Sequence, residues 1–390
     1  MTYASDVTIA LSLAASLLLA TWVLYPFYLW GRTRVARSGS SAEPVGSLIP
    51  AGVSVVVATR DQIDVIAQRI DDISRDPPPG VVLEVIVAVD HAAPIAFDRY
   101  HDALSDRAVV IRGAAPGGKA TALNAGVNAA THEVVILADS RQRFESGSIS
   151  RLVDALHRRG VGAVSGVVRQ NSGDRIMDWY WSYETLIRRG QSASHSLVST
   201  SGQITAIRKA SWVPMPAGLI CDDLFLTLHQ VMRGKRVTLA EDAVAVDTRT
   251  FSRHQHFQRK VRTLTGLFQF IRWTPEVLVP WKNPIWLHFV FHKLMRFVTP
   301  FLLLVMIVGV GSNLLASHPT IVSLTMLGIL LGLALLALWN RESAGRIAGG
   351  VWWALRLQLV PVYALVNGIR GNWDVWPSHS PVEEAQAPNE

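Results

Sequence analysis

The sequence predicts an α/β domain built on a mixed, mainly parallel sheet and flanked on both sides by transmembrane helices. Three observations carry that expectation. Short apolar runs that read as strands alternate with helical stretches between residues 52 and 249. Thr59, Asp90 and Asp139 each stand at the C-terminal end of such a run, which gathers them on one edge of a sheet, where open α/β sheets place ligands. The chain of 390 residues is 49% hydrophobic, and its apolar residues concentrate near the N-terminus and beyond about residue 284.

Taken in order, residues 7 to 30 are almost uncharged and long enough to cross a hydrocarbon layer of roughly 30 Å. Tyr25, Tyr28 and Trp30 stand at the far end like an aromatic belt, and Arg32, Arg34 and Arg37 follow. Positive charge after the apolar run predicts an outside N-terminus and a cytoplasmic domain. A cleaved signal peptide would carry its positive charges first. The expected divisions are an anchor (1–31), a linker (32–51), the α/β domain (52–249), an interfacial amphipathic stretch (250–283), membrane segments (284–370) and a polar tail (371–390).

Within the domain, Val53 to Ala58, Val81 to Val89, Val109 to Ile111, Glu133 to Ala138, Val161 to Val168 and Val237 to Leu239 read as strands. Gln62 to Ser74, Ala120 to Ala130, the aromatic-rich Asp178 to Arg189 and the stretch from Asp222 through Met232 read as helices. Residues 250 to 275 mix Phe257, Leu264 and Phe270 with many cations, as an interfacial helix does. Further spans are expected near 286–310, 319–339 and 348–368, the last interrupted by Arg356 and open to an interfacial reading.

The net charge of +7 is not accompanied by any nucleic-acid motif, and positive charge beside membrane segments accounts for it. Cys221 is the only cysteine, which excludes an intramolecular disulfide and a cysteine zinc site. Gly117-Gly118-Lys119 makes a flexible turn with a cation, suited to a phosphate. Asp139 lies beside it at a strand end, as a metal-bridged diphosphate requires. Asp222 and Asp223 suit the first turn of a helix by charge alone. His254 and His256, spaced by two with no acidic partner nearby, read as interfacial or nucleotide-side residues rather than metal ligands.

With these residues in place, the chain resembles the membrane-anchored family 2 glycosyltransferases, related to cellulose, chitin and hyaluronan synthases. The resemblance covers roughly residues 50 to 275. Asp90 matches the nucleotide-contacting aspartate, and Gly118-Lys119 through Leu123-Asn124-Ala125-Gly126 matches the GK…ALN.G segment. Asp139 matches the first acid of the D-x-D metal motif, Ser201-Gly202 through Arg208 the acceptor-side segment, and Asp222-Asp223 the acidic pair that carries the catalytic base.

The resemblance implies a GT-A (Rossmann-like) fold and inverting transfer from a nucleotide sugar, UDP by family preference, to a lipid-linked or glycan acceptor. It makes Asp223 the base, with Asp222 a helper or a cap. It assigns Mg²⁺ or Mn²⁺ to Asp139, and the nucleotide-sugar site to Thr59, Arg60, Asp90, Gly118, Lys119, Asn124, Arg259 and Arg262. Gly202 and Gln203 fall on the acceptor side; Trp181, in the aromatic group of residues 179 to 183, is read from the residues themselves as stacking on an acceptor sugar, with core packing or membrane contact the alternative. The resemblance further implies an inner-membrane, multi-pass enzyme of cell-envelope or exopolysaccharide synthesis, with membrane lipids and polysaccharide-assembly proteins as partners. An inactive nucleotide-binding relative serving as a subunit is the rival.

Two departures stand out. Arg141 occupies the second D-x-D position, where it would leave the metal to Asp139 and the diphosphate or partly replace the metal's charge. Gln258-Arg259-Lys260-Val261-Arg262-Thr263 stands where processive synthases carry Q-x-x-R-W, and its lack of tryptophan leaves both single-sugar transfer and addition to a growing polysaccharide open.

Overall fold

The computed structural model describes residues 2–39, 50–170, 175–249, 251–320, 323–325, 349–350, 352–353 and 355–374. Its strands are β1 (Gly52–Thr59), β2 (Val82–Val89), β3 (Val109–Arg112), β4 (Val134–Ala138), β5 (Arg143–Phe144), β6 (Val161–Gln170), β7 (Ile204–Arg208) and β8 (Arg236–Asp247). They form one sheet in the order β3-β2-β1-β4-β7-β6-β8-β5. The pairs β3-β2, β2-β1, β1-β4 and β6-β8 are parallel, while β7 runs antiparallel to β4 and β6, and β5 antiparallel to β8.

The helices are α1 (Thr2–Leu19), α2 (Tyr25–Gly39), α3 (Ile63–Ser74), α4 (Phe97–Leu104), α5 (Lys119–Ala129) and α6 (Ser148–Leu156). They continue as α7 (Arg175–Ser194), α8 (Asp222–Met232), α9 (Arg253–Trp273), α10 (Trp286–Phe289), α11 (Met295–Ser317) and α12 (Val360–Arg370). β1 is continuously apolar because both of its faces are covered. Val55 and Val57 join Ile66 and Ile70 of α3 in one core, and Val56 joins Leu123 and Val127 of α5 in the other. Gly126 allows α5 to sit that close, since a Cβ there would lie 2.4 Å from Val56 Cγ1.

β5, α6 and β7 are not among the expected elements, and two others differ from expectation. β8 is a twelve-residue strand rather than the three residues Val237 to Leu239. Glu241 and Asp242 interrupt its apolar pattern, and its register against β6 shifts between Ser165 and Val167, so a bulge absorbs the polar residues. The short α4 escaped a periodicity reading because only Tyr100 and Leu104 of its residues are buried.

Two helices are long and apolar enough to cross a membrane, Asp6–Val35 and Trp286–Ser317. Each is continuous through a π-helical turn, at Ala20–Leu24 and Val290–Leu294. They pack together closely enough that a Cβ on Gly309 would lie 2.6 Å from Leu11. The aromatic-belt expectation is corrected at Tyr25, which is buried rather than facing lipid headgroups. Its hydroxyl lies 3.2 Å from His288 Nδ1 and accepts from Gln191 Nε2 at 2.9 Å, so it joins both apolar helices to α7. Gly190 of α7 rests directly on α2, where a Cβ would meet the Leu29 carbonyl oxygen at 2.8 Å.

α9 starts at a capping box between Ser252 and Gln255 and buries Phe257, Leu267 and Phe270. Its Leu267 and Phe270 pack on the core, while Arg253, Gln258, Arg272 and Trp273 stay exposed. α12 lies against it through Phe257–Tyr363 edge contact, an Asn367–Thr265 hydrogen bond and the fit of Gly368 on Phe268. The span expected at 319–339 lies almost wholly outside the described residues, as do most of the linker and the tail beyond 374.

Candidate active site

The expected sheet edge forms as read: Thr59 ends β1, Asp90 follows β2 and Asp139 follows β4. Thr59 Oγ1 accepts from the Asp61 amide at 2.9 Å and closes the turn after β1. Asp90 is 3% exposed, and its carboxylate is taken up by the protein. It accepts from the Gly118 amide at 2.9 Å, from the Ala92 amide at 3.0 Å and from Arg60 Nε at 2.5 Å. Gly117 has φ +101°, and a Cβ there would meet Asp90 Oδ1 at 2.6 Å, so the turn requires glycine. Asp90 thus braces the Gly117-Gly118 turn, and Arg60, half exposed, is the member of the pair open to solvent.

Lys119 opens α5 and reaches across the edge. Its ammonium lies 2.8 Å from Asp139 Oδ1 and 3.2 Å from Asp222 Oδ2. Burial works to lower its pKa, but the two carboxylates more than reverse this and hold it above the ordinary lysine value. The floor is Gly202, where a Cβ would lie 3.2 Å from Asp222 Oδ2 and 3.3 Å from Lys119 Nζ. Asp223, next in the first turn of α8, accepts from Ser199 Oγ at 2.9 Å. Gln203 sits in the turn leading into β7, beside Gly202.

Arg141 is not free to act alone. Its Nε and Nη2 lie 3.0 and 2.6 Å from Asp61 Oδ1, and Ser140 Oγ donates to the same carboxylate. Burial acts to raise the pKa of Asp61, yet the Arg141 and Ser140 hydrogen bonds outweigh it and hold it below the usual carboxylate value. A carboxylate from the β1 end therefore comes back to the position where the D-x-D pattern lacks one, carrying the arginine with it. Arg259 lies over the Phe251 ring, 4.0 Å from its centroid, with Arg249, Arg262, Asp247 and Asp139 among its electrostatic neighbours. Arg262 also acts on Cys221, at the N-cap of α8.

As for a metal, Asp139 supplies one carboxylate, and Asp222 lies on the other side of Lys119. Among the described residues no group of three or more His, Cys, Asp or Glu is arranged to hold an ion. The donor set therefore fits a metal only when a donor diphosphate completes the coordination. His254 bonds to Gln258 at 2.8 Å and His256 packs edge-on to Phe251, so neither faces an acid.

Two expected site residues sit away from the Lys119 bridge. Asn124 donates to the Met215 carbonyl at 2.8 Å and accepts from the Met215 amide and the Trp212 indole, so it pins the 212–215 segment. Trp181 is 38% exposed on α7, beside the apolar helices.

A model of the glycosyltransferase like family 2 matches residues 50–266. The chain belongs to this family. Its fold matches a mannosyltransferase from Pyrobaculum calidifontis in complex with GDP-Man and Mn²⁺, with a TM-score of 0.67 and 21% identity. That likeness covers 93% of this chain and 99% of the other, so it includes the flanking apolar helices. A glucosyl-3-phosphoglycerate synthase from Mycobacterium tuberculosis, in complex with Mn²⁺, UDP and glucosyl-3-phosphoglycerate, matches at TM-score 0.42 and 16% identity, over 62% of this chain and 83% of the other. No curated protein matches this chain.

In this glycosyltransferase, the sheet edge expected from the strand ends carries Lys119 between Asp139 and Asp222. Sequence reasoning passed over Asp61, Glu184, Arg188 and Lys293. The only signal for Asp61 was the arginine at 141; for the others it was charge inside apolar surroundings, which in the 286–310 stretch marks function by default.

Proposed function

We propose that this glycosyltransferase is a membrane-bound inverting enzyme that moves one sugar from a nucleotide sugar to a lipid-linked or glycan acceptor at the cytoplasmic face. The observation that carries the reading is the Lys119 bridge. One ammonium joins the carboxylate beside the phosphate-binding turn to Asp222, the neighbour of Asp223 at the start of α8. Donor and acceptor chemistry then meet at a single point.

In this mechanism Asp223 takes the proton from the acceptor hydroxyl. The acceptor oxygen bonds to the anomeric carbon as the carbon–oxygen bond to the diphosphate breaks, and the nucleoside diphosphate leaves with the electron pair. Lys119, Arg259 and Arg262 stabilise the charge that develops on it. Arg60 and the Asp90-braced turn hold the nucleotide end, and Gly202 and Gln203 line the acceptor side. Mn²⁺ or Mg²⁺, when bound through Asp139 and the diphosphate, would neutralise the same charge; Mn²⁺ accompanies the Pyrobaculum and Mycobacterium proteins. The two apolar helices and the cations after residue 30 support membrane anchoring with the domain inside. The lack of Q-x-x-R-W supports single transfer, in an envelope or exopolysaccharide pathway.

The test is nucleotide release from UDP-, GDP- and dTDP-sugars by protein purified in detergent, with and without Mn²⁺ or Mg²⁺, and with Asp223→Asn alongside. Turnover of one donor that is lost in the variant supports the reading. Absence of donor binding throughout the panel would sink it.

A further inference from the structure

The junction between α7, α8 and the second apolar helix holds charge that the donor chemistry does not use. Glu184 of α7 receives Arg296, and His292 Nε2 lies 3.2 Å from it. Burial acts to raise the pKa of Glu184, but these partners hold it well below the ordinary value. One turn along α7, Arg188 donates to Ser201 Oγ at 2.9 Å and Ser165 Oγ at 2.7 Å. Its Nε is buried without a hydrogen-bond partner. Burial pulls its pKa down to about 10, against the attraction of Glu184 and Asp223.

Lys293 enters from the opposite side. It follows Phe289 by four residues, and Phe289 is fully buried in the core that contains Cys221 and Leu224 of the α8 start. Through the π-helical turn of Val290–Leu294 this places Lys293 just under one turn beyond Phe289. Asp223 and Glu184 are its acidic electrostatic neighbours, yet it makes no ion pair or hydrogen bond with a described residue. Lys293 thus lies within electrostatic reach of the proposed base without forming an ion pair with it, and Glu184 is already engaged by Arg296. Cations buried this way call for an anion. Beyond Lys293 the helix turns apolar and exposed, with Leu304 58% and Ile307 69% accessible.

We propose that Lys293 and Arg188 bind a phosphoryl group of the acceptor lipid, close enough to Asp223 that the sugar it carries presents its hydroxyl to the base. This deepens the proposed function and rests on its lipid-linked acceptor. The acceptor is then an anionic lipid whose tail lies along the second apolar helix.

The test is binding of farnesyl diphosphate and of farnesol to the full chain in nonionic detergent, with saturating UDP present to fill the donor site. Wild type should prefer the diphosphate by about tenfold or more, as a charge-assisted contact requires. Lys293→Met should lose that preference and Lys293→Arg should keep it. If Lys293→Met does not fold, the wild-type comparison still decides. Equal binding of the two farnesyl compounds overturns the inference, and so does equal competition by anionic phosphatidylglycerol micelles, which would assign the site to membrane headgroups. Farnesyl diphosphate binding that depends on Lys293, with no sugar transfer to any lipid acceptor, would uphold the anion site while the lipid-acceptor reading falls.

Discussion

Replacing Lys119 with methionine removes the ammonium and keeps the apolar stem. Asp139 and Asp222, 2.8 and 3.2 Å from that ammonium, are then left facing each other. Two unit charges about 4 Å apart interact by about 4 kcal/mol at an effective dielectric near 20. Breaking a fully buried pair costs about 3–5 kcal/mol. The side chains of Lys119, Asp139 and Asp222 are 22%, 28% and 16% exposed, so water screens part of the effect. The expected loss is about 2–3 kcal/mol. At about 2–4 °C per kcal/mol, the melting temperature of the full chain in detergent falls by roughly 4–12 °C. A divalent cation between the two carboxylates restores the missing charge. Mn²⁺ should therefore raise the melting temperature of Lys119→Met by more than it raises that of wild type. A variant that melts like wild type, or one that is destabilised and gains nothing extra from Mn²⁺, refutes the bridge as the element that holds the site together.

Asp223→Asn should lower turnover by about 10²–10⁴-fold while donor affinity, read by titration with the nucleotide sugar, stays within about twofold. Asp61→Asn should release Arg141 and raise the donor KM by about tenfold, with the acceptor KM unchanged. Because the pKa of Asp61 is depressed in the fold, its contribution is present above the ordinary carboxylate value and is lost as pH falls through the folded value. An acid-side loss of stability below about pH 4 should accordingly be smaller in Asp61→Asn than in wild type when melting is followed against pH. Gly126→Ala places a Cβ 2.4 Å from Val56 Cγ1 and should cost about 1–3 kcal/mol, visible as a lower melting temperature.

The donor edge was legible because strand period and strand ends are local properties, so Thr59, Asp90 and Asp139 could be placed on one side of the sheet from spacing alone. Their partners were less so. Asp90 reads as a nucleotide contact in the family pattern, yet the fold gives its oxygens to the Gly118 amide and Arg60. Arg141 reads as a lost acid, yet Asp61, 80 positions earlier, supplies a carboxylate beside it. Such a pair depends on how β1 and β4 lie side by side, which is a property of the register. The polar join of Tyr25, Gln191, His292 and Glu184 was hidden for the same reason. Each residue alone resembles a belt aromatic or a stray charge, and only the packing of α7 between two apolar helices gives it a partner.

The seat of Gly190 on Leu29 sets an elevation as well as a contact. With no side chain between the two backbones, α7 is mounted on the anchor like a bracket on a post, and Glu184, Arg188 and the floor at Ser201 hang from that bracket. With the apolar helices embedded as proposed, the catalytic centre would then have one height above the lipid plane and one tilt. An enlarged residue at 190 would act as a shim, raising or leaning the whole centre while leaving its internal distances intact. For the proposed lipid-linked acceptor, such a mount would set how far the sugar must stand from the tail, favouring head groups of a single reach.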